Sequence, residues 1–208
     1  MLIISSCSWF ESDYSKIMGP IQKLKQVEKD AGKPSPIYNG FREPDFPDLK
    51  ENKKTLDGID SNKDGIRDDV EIWINRVADD DYVRIELKHL YRTKMMVHKS
   101  VWFDEPIEVQ SEKSFLYVEN LTCFRLVLQP YEKKYLASGV DRNQFLKDKL
   151  SKIMFNTNER EALVTKINSF QGKEREHYGN DVSNCDKLID PLYFELLQKK
   201  FGRDWSKK

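Results

Sequence analysis

The chain has 208 residues, 38% of them hydrophobic and 34% charged, with 35 basic side chains balanced by 35 acidic ones. That length can bury a substantial core, and the even balance offers no net electrostatic pull toward nucleic acid or a membrane surface. No run of about 18 apolar residues occurs, so no segment is expected to span a bilayer.

Within residues 8–30, Ile17, Ile21, Leu24 and Val27 recur at spacings of 4, 3 and 3, which is one helix face. Gly19-Pro20 interrupts the pattern, which places the firm start of the helix at Pro20. Lys23 and Lys25, like Lys133 and Lys134, read as solvated helix faces. Over 31–57 the period disappears among Pro34, Pro36, Pro44, Pro47, Gly32, Gly40, Asn39 and Asn52. The expectation there is an irregular arm packed through Tyr38, Phe41 and Phe46.

From residue 68 onward the chain is repeatedly helical. Val70, Trp73, Ile74 and Val77 form one stripe. After an Asp79-Asp80-Asp81 cap, Val83, Leu87, Leu90, Tyr91, Val97 and Val101 form the next. Tyr117, Leu121, Phe124, Leu128, Tyr131 and Tyr135 make a third, bent or broken near Pro130. Phe145, Leu146, Leu150, Ile153 and Met154 make a fourth. Asn156-Thr157-Asn158 then caps a helix bearing Leu163, Ile167 and Phe170, closed by Gly172. Asp190-Pro191 opens a last helix with Leu192, Tyr193, Leu196, Leu197 and Phe201, and Gly202 follows at its end. No alternating strand of convincing length appears. The expected fold class is all-α, an irregular helical bundle with an extended N-terminal arm. The expected segments are 1–7, then 8–57 for helix and arm, then 58–208 for the remainder.

The densest chemical signal lies at residues 60–71. Asp60, Asn62, Asp64, Asp68 and Glu71 surround Gly65 and Ile66 at the spacing of a twelve-residue oxygen-ligand loop. This stretch resembles the EF-hand family, with Asp60 at position 1 and Glu71 at position 12. Calcium takes six to eight hard oxygens, and alternate side chains at positions 1, 3 and 5 converge as such a loop curls. The resemblance implies ligation by Asp60, Asn62, Asp64, the Ile66 carbonyl, Asp68 and both oxygens of Glu71. It also implies a positive φ at Gly65. Two features depart from a standard hand. Position 8, usually an aliphatic residue that pairs with a second loop, is Arg67, and the incoming segment 51–58 is a poor helix. The stretch is closer to the single loops of dockerin-type and thrombospondin-type extracellular proteins. A lone loop of this kind is expected to fix the start of a helix rather than to switch it.

At the other end of the sequence, Ile4-Ser5-Ser6-Cys7 resembles the bacterial lipobox. The resemblance implies acylation of Cys7 and makes residues 1–7 the remnant of a signal sequence. If Cys7 carries lipid, Cys123 and Cys185 remain as an even pair, and an oxidising periplasm would favour a disulfide between them. The alternative is three buried or inert thiols in a reducing cytosol.

Other constellations carry less. His89 follows Glu86 by three residues, but a di-metal bundle needs two such steps. His177 with Cys185 lacks any thiol-protease context, and no serine elbow or phosphate-binding glycine loop occurs. The carboxylate pairs Glu159/Glu161 and Glu174/Glu176 read as helix surface. Trp9, Trp102 and Trp205 stand near element ends, as core edges or interface anchors. The sequence therefore leads to a calcium-binding, non-catalytic protein of the periplasm or cell envelope. It would bind a protein partner, as an inhibitor or immunity factor does. Two rivals remain: a calcium-stabilised envelope hydrolase acting on cell wall or lipid, and a cytosolic calcium sensor.

Overall fold

A computed structural model describes residues 7–78, 81–118, 121 and 142–171, with side chains over 13–78, 81, 83–118, 121 and 145–167. Helices hold 68% of these residues, and the sheet is a two-stranded scrap, so the fold is all-α. In chain order come α1 (Cys7–Asp30), β1 (Ile37–Tyr38), β2 (Phe41–Arg42), α2 (Leu49–Asn52), α3 (Asp68–Val77) and α4 (Asp81–Trp102). A helix over 107–118, α5, follows, then α6 (Arg142–Met154) and α7 (Asn158–Gln171). The chain divides into two compact units, one from Met1–Asp81 with Leu146–Val164, the other from Tyr82–Phe145 with Thr165–Lys208. The arm and the acidic loop at 60–71 thus share one unit.

In the first unit α1 runs unbroken through Pro20 instead of starting there. A proline removes one backbone donor and frees the carbonyl four residues earlier. Lys16 and Pro20 are both exposed, so water can serve that carbonyl at little cost. The buried face of α1 also differs from the expected stripe. Tyr14, Met18 and Lys25 are buried, whereas Leu24 and Val27 are exposed. The reason is polar. Lys25 Nζ donates to Glu43 Oε1 at 3.0 Å and to Pro44 O at 2.5 Å, and Glu43 is itself buried. Arg76 of α3 completes the cluster by donating to both oxygens of Glu43 and both of Glu28. Fork-to-carboxylate bonds of this kind fix orientation as well as charge. They register α1, the arm and α3 against each other.

The arm is more ordered than its prolines suggest. Ile37 pairs with Arg42 and Tyr38 with Phe41 across a tight turn. Asn39 and Gly40 both take positive φ, at 52° and 83°, as a two-residue hairpin turn requires. Phe41 is exposed and Tyr38 and Phe46 only half-buried, so the arm is anchored by Glu43, Pro44 and Pro47 instead. Asp48 then caps α2, accepting from Lys50 N and Glu51 N at 2.9 Å each. The core of this unit draws on Ile66, Val70, Trp73 and Ile74 with Leu146, Leu150, Ile153 and Met154. Phe145, expected with them, is exposed.

In the second unit α4 buries Val83, Leu87, Leu90, Tyr91, Val97 and Val101, the expected stripe. It ends in a hydrogen-bonded turn: Glu105 N donates to Ser100 O at 2.9 Å and Asp104 N to Val101 O at 3.4 Å. Asp104 holds the left-handed position, φ 53°, that glycine usually fills. Pro106 then precedes α5, and Gln110 Nε2 closes back on Glu105 O at 2.6 Å. The rest of the third stripe, Phe124 to Tyr135, with the 190–202 helix, Phe170, Trp9, Trp205, His177, Cys123 and Cys185, lies outside the described residues or side chains.

His98 is buried on α4, and its Nδ1–H donates to Lys94 O at 2.6 Å. Burial pushes its imidazolium down to a pKa of about 4, from an ordinary value near 6.5. The folded state thus binds the proton less readily than the unfolded chain between those values. Stability from neutral His98 is full above about pH 6.5 and is lost as pH falls toward 4. Urea titrations of wild type and His98→Gln between pH 7 and 4 are expected to show a shallower acid loss in the variant. A parallel loss in both would assign the acid sensitivity elsewhere.

Candidate metal loop

The loop is closed at its base by Asp68 N donating to Ile59 O at 2.8 Å. Ile59 N donates in turn to Asn52 Oδ1 at 2.8 Å, which ties the incoming segment to the end of α2. Within the curl, Asp60 Oδ1 accepts from Asp64 N at 3.3 Å and Asp60 Oδ2 from Gly65 N at 2.9 Å. Asn62 Oδ1 accepts from Asp64 N at 3.1 Å, and Asp64 Oδ1 from Ile66 N at 2.9 Å. The three alternate side chains therefore fold over the same turn of backbone. Gly65 takes φ 83°, as the sequence requires, and Lys63 also lies at positive φ, 59°.

The two outgoing acids are fixed from the incoming side. Asp68 Oδ1 accepts from Ser61 N at 2.9 Å and from Ser61 Oγ at 3.2 Å. Glu71 Oε2 accepts from Asn62 Nδ2 at 3.0 Å. Asp68 and Glu71 are both buried, as is the side chain of Ile66. Asp68, Asp69 and Glu71 also occupy the first turn of α3, where the positive end of the helix dipole favours carboxylates.

Four of the six expected ligand residues, Asp60, Asn62, Asp64 and Glu71, are thereby joined to one another, Ile66 is joined to Asp64 through its backbone, and Asp68 is held by Ser61. Among the described residues, however, no three His, Cys, Asp or Glu side chains converge as a group ready to hold a metal. The carboxylates are served by separate N–H and hydroxyl donors. The chemistry of the donor set fits a hard cation: it is all oxygen and includes four of the five carboxylates in residues 60–71. Burial, with the neighbouring Asp60 and Glu71 charges, pushes the Asp68 carboxyl up to a pKa of about 6 against the lowering effect of its Ser61 hydrogen bonds. A divalent cation would relieve that repulsion. Cys7, the expected lipid site, is the first residue of α1.

The decisive residue is the one that breaks the EF-hand pattern. Arg67 is 1% exposed. Its Nε donates to Asp69 Oδ1 at 2.5 Å and its Nη2 to Asp69 Oδ2 at 3.2 Å. The same guanidinium donates to Ile153 O at 2.5 Å and Met154 O at 3.2 Å, the last carbonyls of α6. A cation suits this helix end, where carbonyls lack intrahelical partners. Tyr14 OH of α1 donates to Asp69 Oδ2 at 2.8 Å. Burial and the Asp69 charge push the Tyr14 hydroxyl far above the ordinary phenol range, so it stays a donor. Position 8 of the loop thus meets a helix end of its own chain.

Arg160 of α7 holds the incoming side. It is also buried, and its Nη2 donates to Asn52 O at 2.5 Å and Thr55 O at 2.6 Å. Its Nη1 donates to Asn156 Oδ1 at 2.6 Å.

Comparison with known proteins finds no matching family, no matching curated protein and no matching solved structure. The chemistry of the loop therefore rests on its own residues.

Sequence reasoning places Arg67 at position 8 of the loop only as a departure from the pattern, and it does not reach Asp69, Tyr14, Arg160 or Gly58 as parts of this site. Charged residues at these positions look solvated, because burial of an arginine depends on partners remote in sequence. Gly58, two residues before Asp60, is the one local signal. It takes φ 64°, and a methyl group there would overlap Arg67 Cδ and Asn52 Oδ1. Gly58→Ala is expected to destabilise the chain by about 3 kcal/mol, combining left-handed strain with overpacking. Chemical denaturation measures this, and a change below about 0.5 kcal/mol, the ordinary range for surface sites, would contradict the packing described.

Proposed function

We propose that this chain is a calcium-binding, non-catalytic protein of the cell envelope, lipid-anchored through Cys7, that acts by binding another protein. The observation that carries the calcium reading is the folded-back arrangement of Asp60, Asn62 and Asp64 around Gly65, with Asp68 and Glu71 bonded across to Ser61 and Asn62. Hard oxygens in this order are the ligand chemistry of a calcium ion. Asp60, Asn62, Asp64, the Ile66 carbonyl, Asp68 and Glu71 would hold it. The ion would supply positive charge where Asp68 resists ionisation and would fix the start of α3.

Protein binding is supported by the turn between α4 and α5. Trp102, Phe103 and Ile107 are 44%, 67% and 51% exposed beside a turn fixed by its own backbone bonds. Aromatic side chains on a preorganised turn are the usual anchors of protein interfaces. The envelope location is supported by the lipobox resemblance at Ile4-Ser5-Ser6-Cys7.

Calorimetric titration is expected to show one calcium ion per chain, with a dissociation constant between about 10⁻⁷ and 10⁻³ M. Thermal melting should rise in calcium relative to chelator, and Asp64→Ala should remove that dependence. Identical wild-type melting in calcium and chelator would reduce the loop to a turn. Capture from envelope extract should recover one stoichiometric partner that is lost with the double substitution Trp102→Ala, Phe103→Ala. Absence of any stoichiometric partner would count against the binding role.

A further inference from the structure

We propose that calcium occupancy of the loop latches residues 146–164 onto residues 1–81, with Arg67 and Arg160 as the positioning residues that carry the coupling. This deepens the calcium reading above and rests on it.

The first unit is assembled from two stretches that are remote in sequence. The second stretch grips the loop on both sides. On the incoming side Arg160 holds the carbonyls of Asn52 and Thr55, and Asn52 holds Ile59, the residue before the first expected ligand. On the outgoing side the end of α6 holds Arg67, which lies directly before the expected ligand Asp68. The spacing between the two grips is set twice. Within the loop it is set by how tightly Asp60 to Asp68 curl. Within the second stretch it is set by the rigid passage from Ile153 to Arg160 through the Phe155–Thr157 turn. Phe155 N there donates to Ser151 O at 3.0 Å, and Glu161 N to Thr157 O at 2.9 Å.

Two segments that must match one spacing bias each other. An ion that draws the oxygen ligands together holds Asn52 and Arg67 at the separation that α6 and α7 accept. A loop opened by the repulsion of its carboxylates moves the two grips apart. Arg67 has little slack, because its stem passes directly over Gly58 and its head is held by Asp69 as well as by α6. Arg160 is likewise fixed at its far end by Asn156. The coupling is reciprocal by thermodynamic linkage: if the ion favours docking, docking favours the ion by the same factor.

Neither arginine offers an oxygen to calcium, so a change in ion affinity on replacing one separates coupling from ligation. Arg160→Met is the cleaner variant, since it lies remote in sequence from every expected ligand. Its calcium dissociation constant, read by calorimetry, is expected to rise about tenfold, within the usual range of coupling between sites. Arg67→Lys, which keeps the charge but not the fork, should raise it as well. Hydrogen exchange on the wild-type chain needs no variant to fold. Calcium should slow exchange at amides 150–161 as well as at 60–71, and Arg160→Met should confine the slowing to the loop. Calcium binding of unchanged affinity in folded Arg160→Met overturns the latch. So does wild-type protection restricted to 60–71, which leaves the calcium reading standing. No heat of binding and no protection at either segment overturns the calcium reading and the latch together.

Discussion

The buried ion pair between Arg67 and Asp69 sets the conditions for everything around it. Removing two charges from water costs several kcal/mol per ion, and only complete hydrogen bonding offsets it. The pair meets this demand with groups from α1 and α6. Tyr14 serves the second oxygen of Asp69, and the last two carbonyls of α6 serve the guanidinium. Withdrawal of any one partner would strand part of a charge in the interior. This is why the start of α3, the end of α6 and the middle of α1 share one fixed arrangement, and why the loop next to Arg67 has little freedom.

A second charged cluster repeats the principle at the other end of α3. Arg76 and Lys25 are neutralised by Glu28 and Glu43, with Glu43 wholly buried. Between the two clusters every residue from Asp68 to Asn75 is buried. A helix with acids on its first turn and a basic residue on its last is thereby enclosed on all sides. Its apolar stripe alone would not account for that, since the stripe covers only one face. The charged residues at its ends are what allow the polar remainder to leave water.

What could be read from sequence follows from how local each signal is. The α4 stripe is legible because its burial follows the helical period, whereas the α3 stripe shows only part of a helix that is buried on every side from Asp68 to Asn75. The loop was legible because its carboxylates and Gly65 act on each other within twelve residues. The hairpin at Asn39-Gly40 was equally local and was hidden only by the prolines around it. By sequence Lys25 looks solvated and Arg67 looks like a defect in a motif, yet both are buried. Their partners, Glu43 for one and the end of α6 for the other, are separated from them by 18 to 87 residues. On α1 the apolar Leu24 and Val27 are exposed because the polar contacts of Tyr14 and Lys25 decide which way the helix turns.

The discontinuity of the first unit bears on how the chain acquires its shape. Residues 1–81 hold the arm, the loop and α3, but the bonds that complete them reach 86 to 139 residues onward, from Arg67 to α6, from Asn52 to Arg160 and from Asp13 to Lys152. Contacts that distant must close a long loop of chain before they return any stabilisation, which makes folding slow. A nascent chain would therefore carry Arg67 without the Ile153 and Met154 carbonyls, and Asn52 without Arg160, until residue 160 had been made. During that interval the acidic loop, the 37–42 hairpin and the Lys25–Glu43–Arg76 cluster, whose bonds all close within residues 1–81, would be the parts of the unit able to organise by themselves.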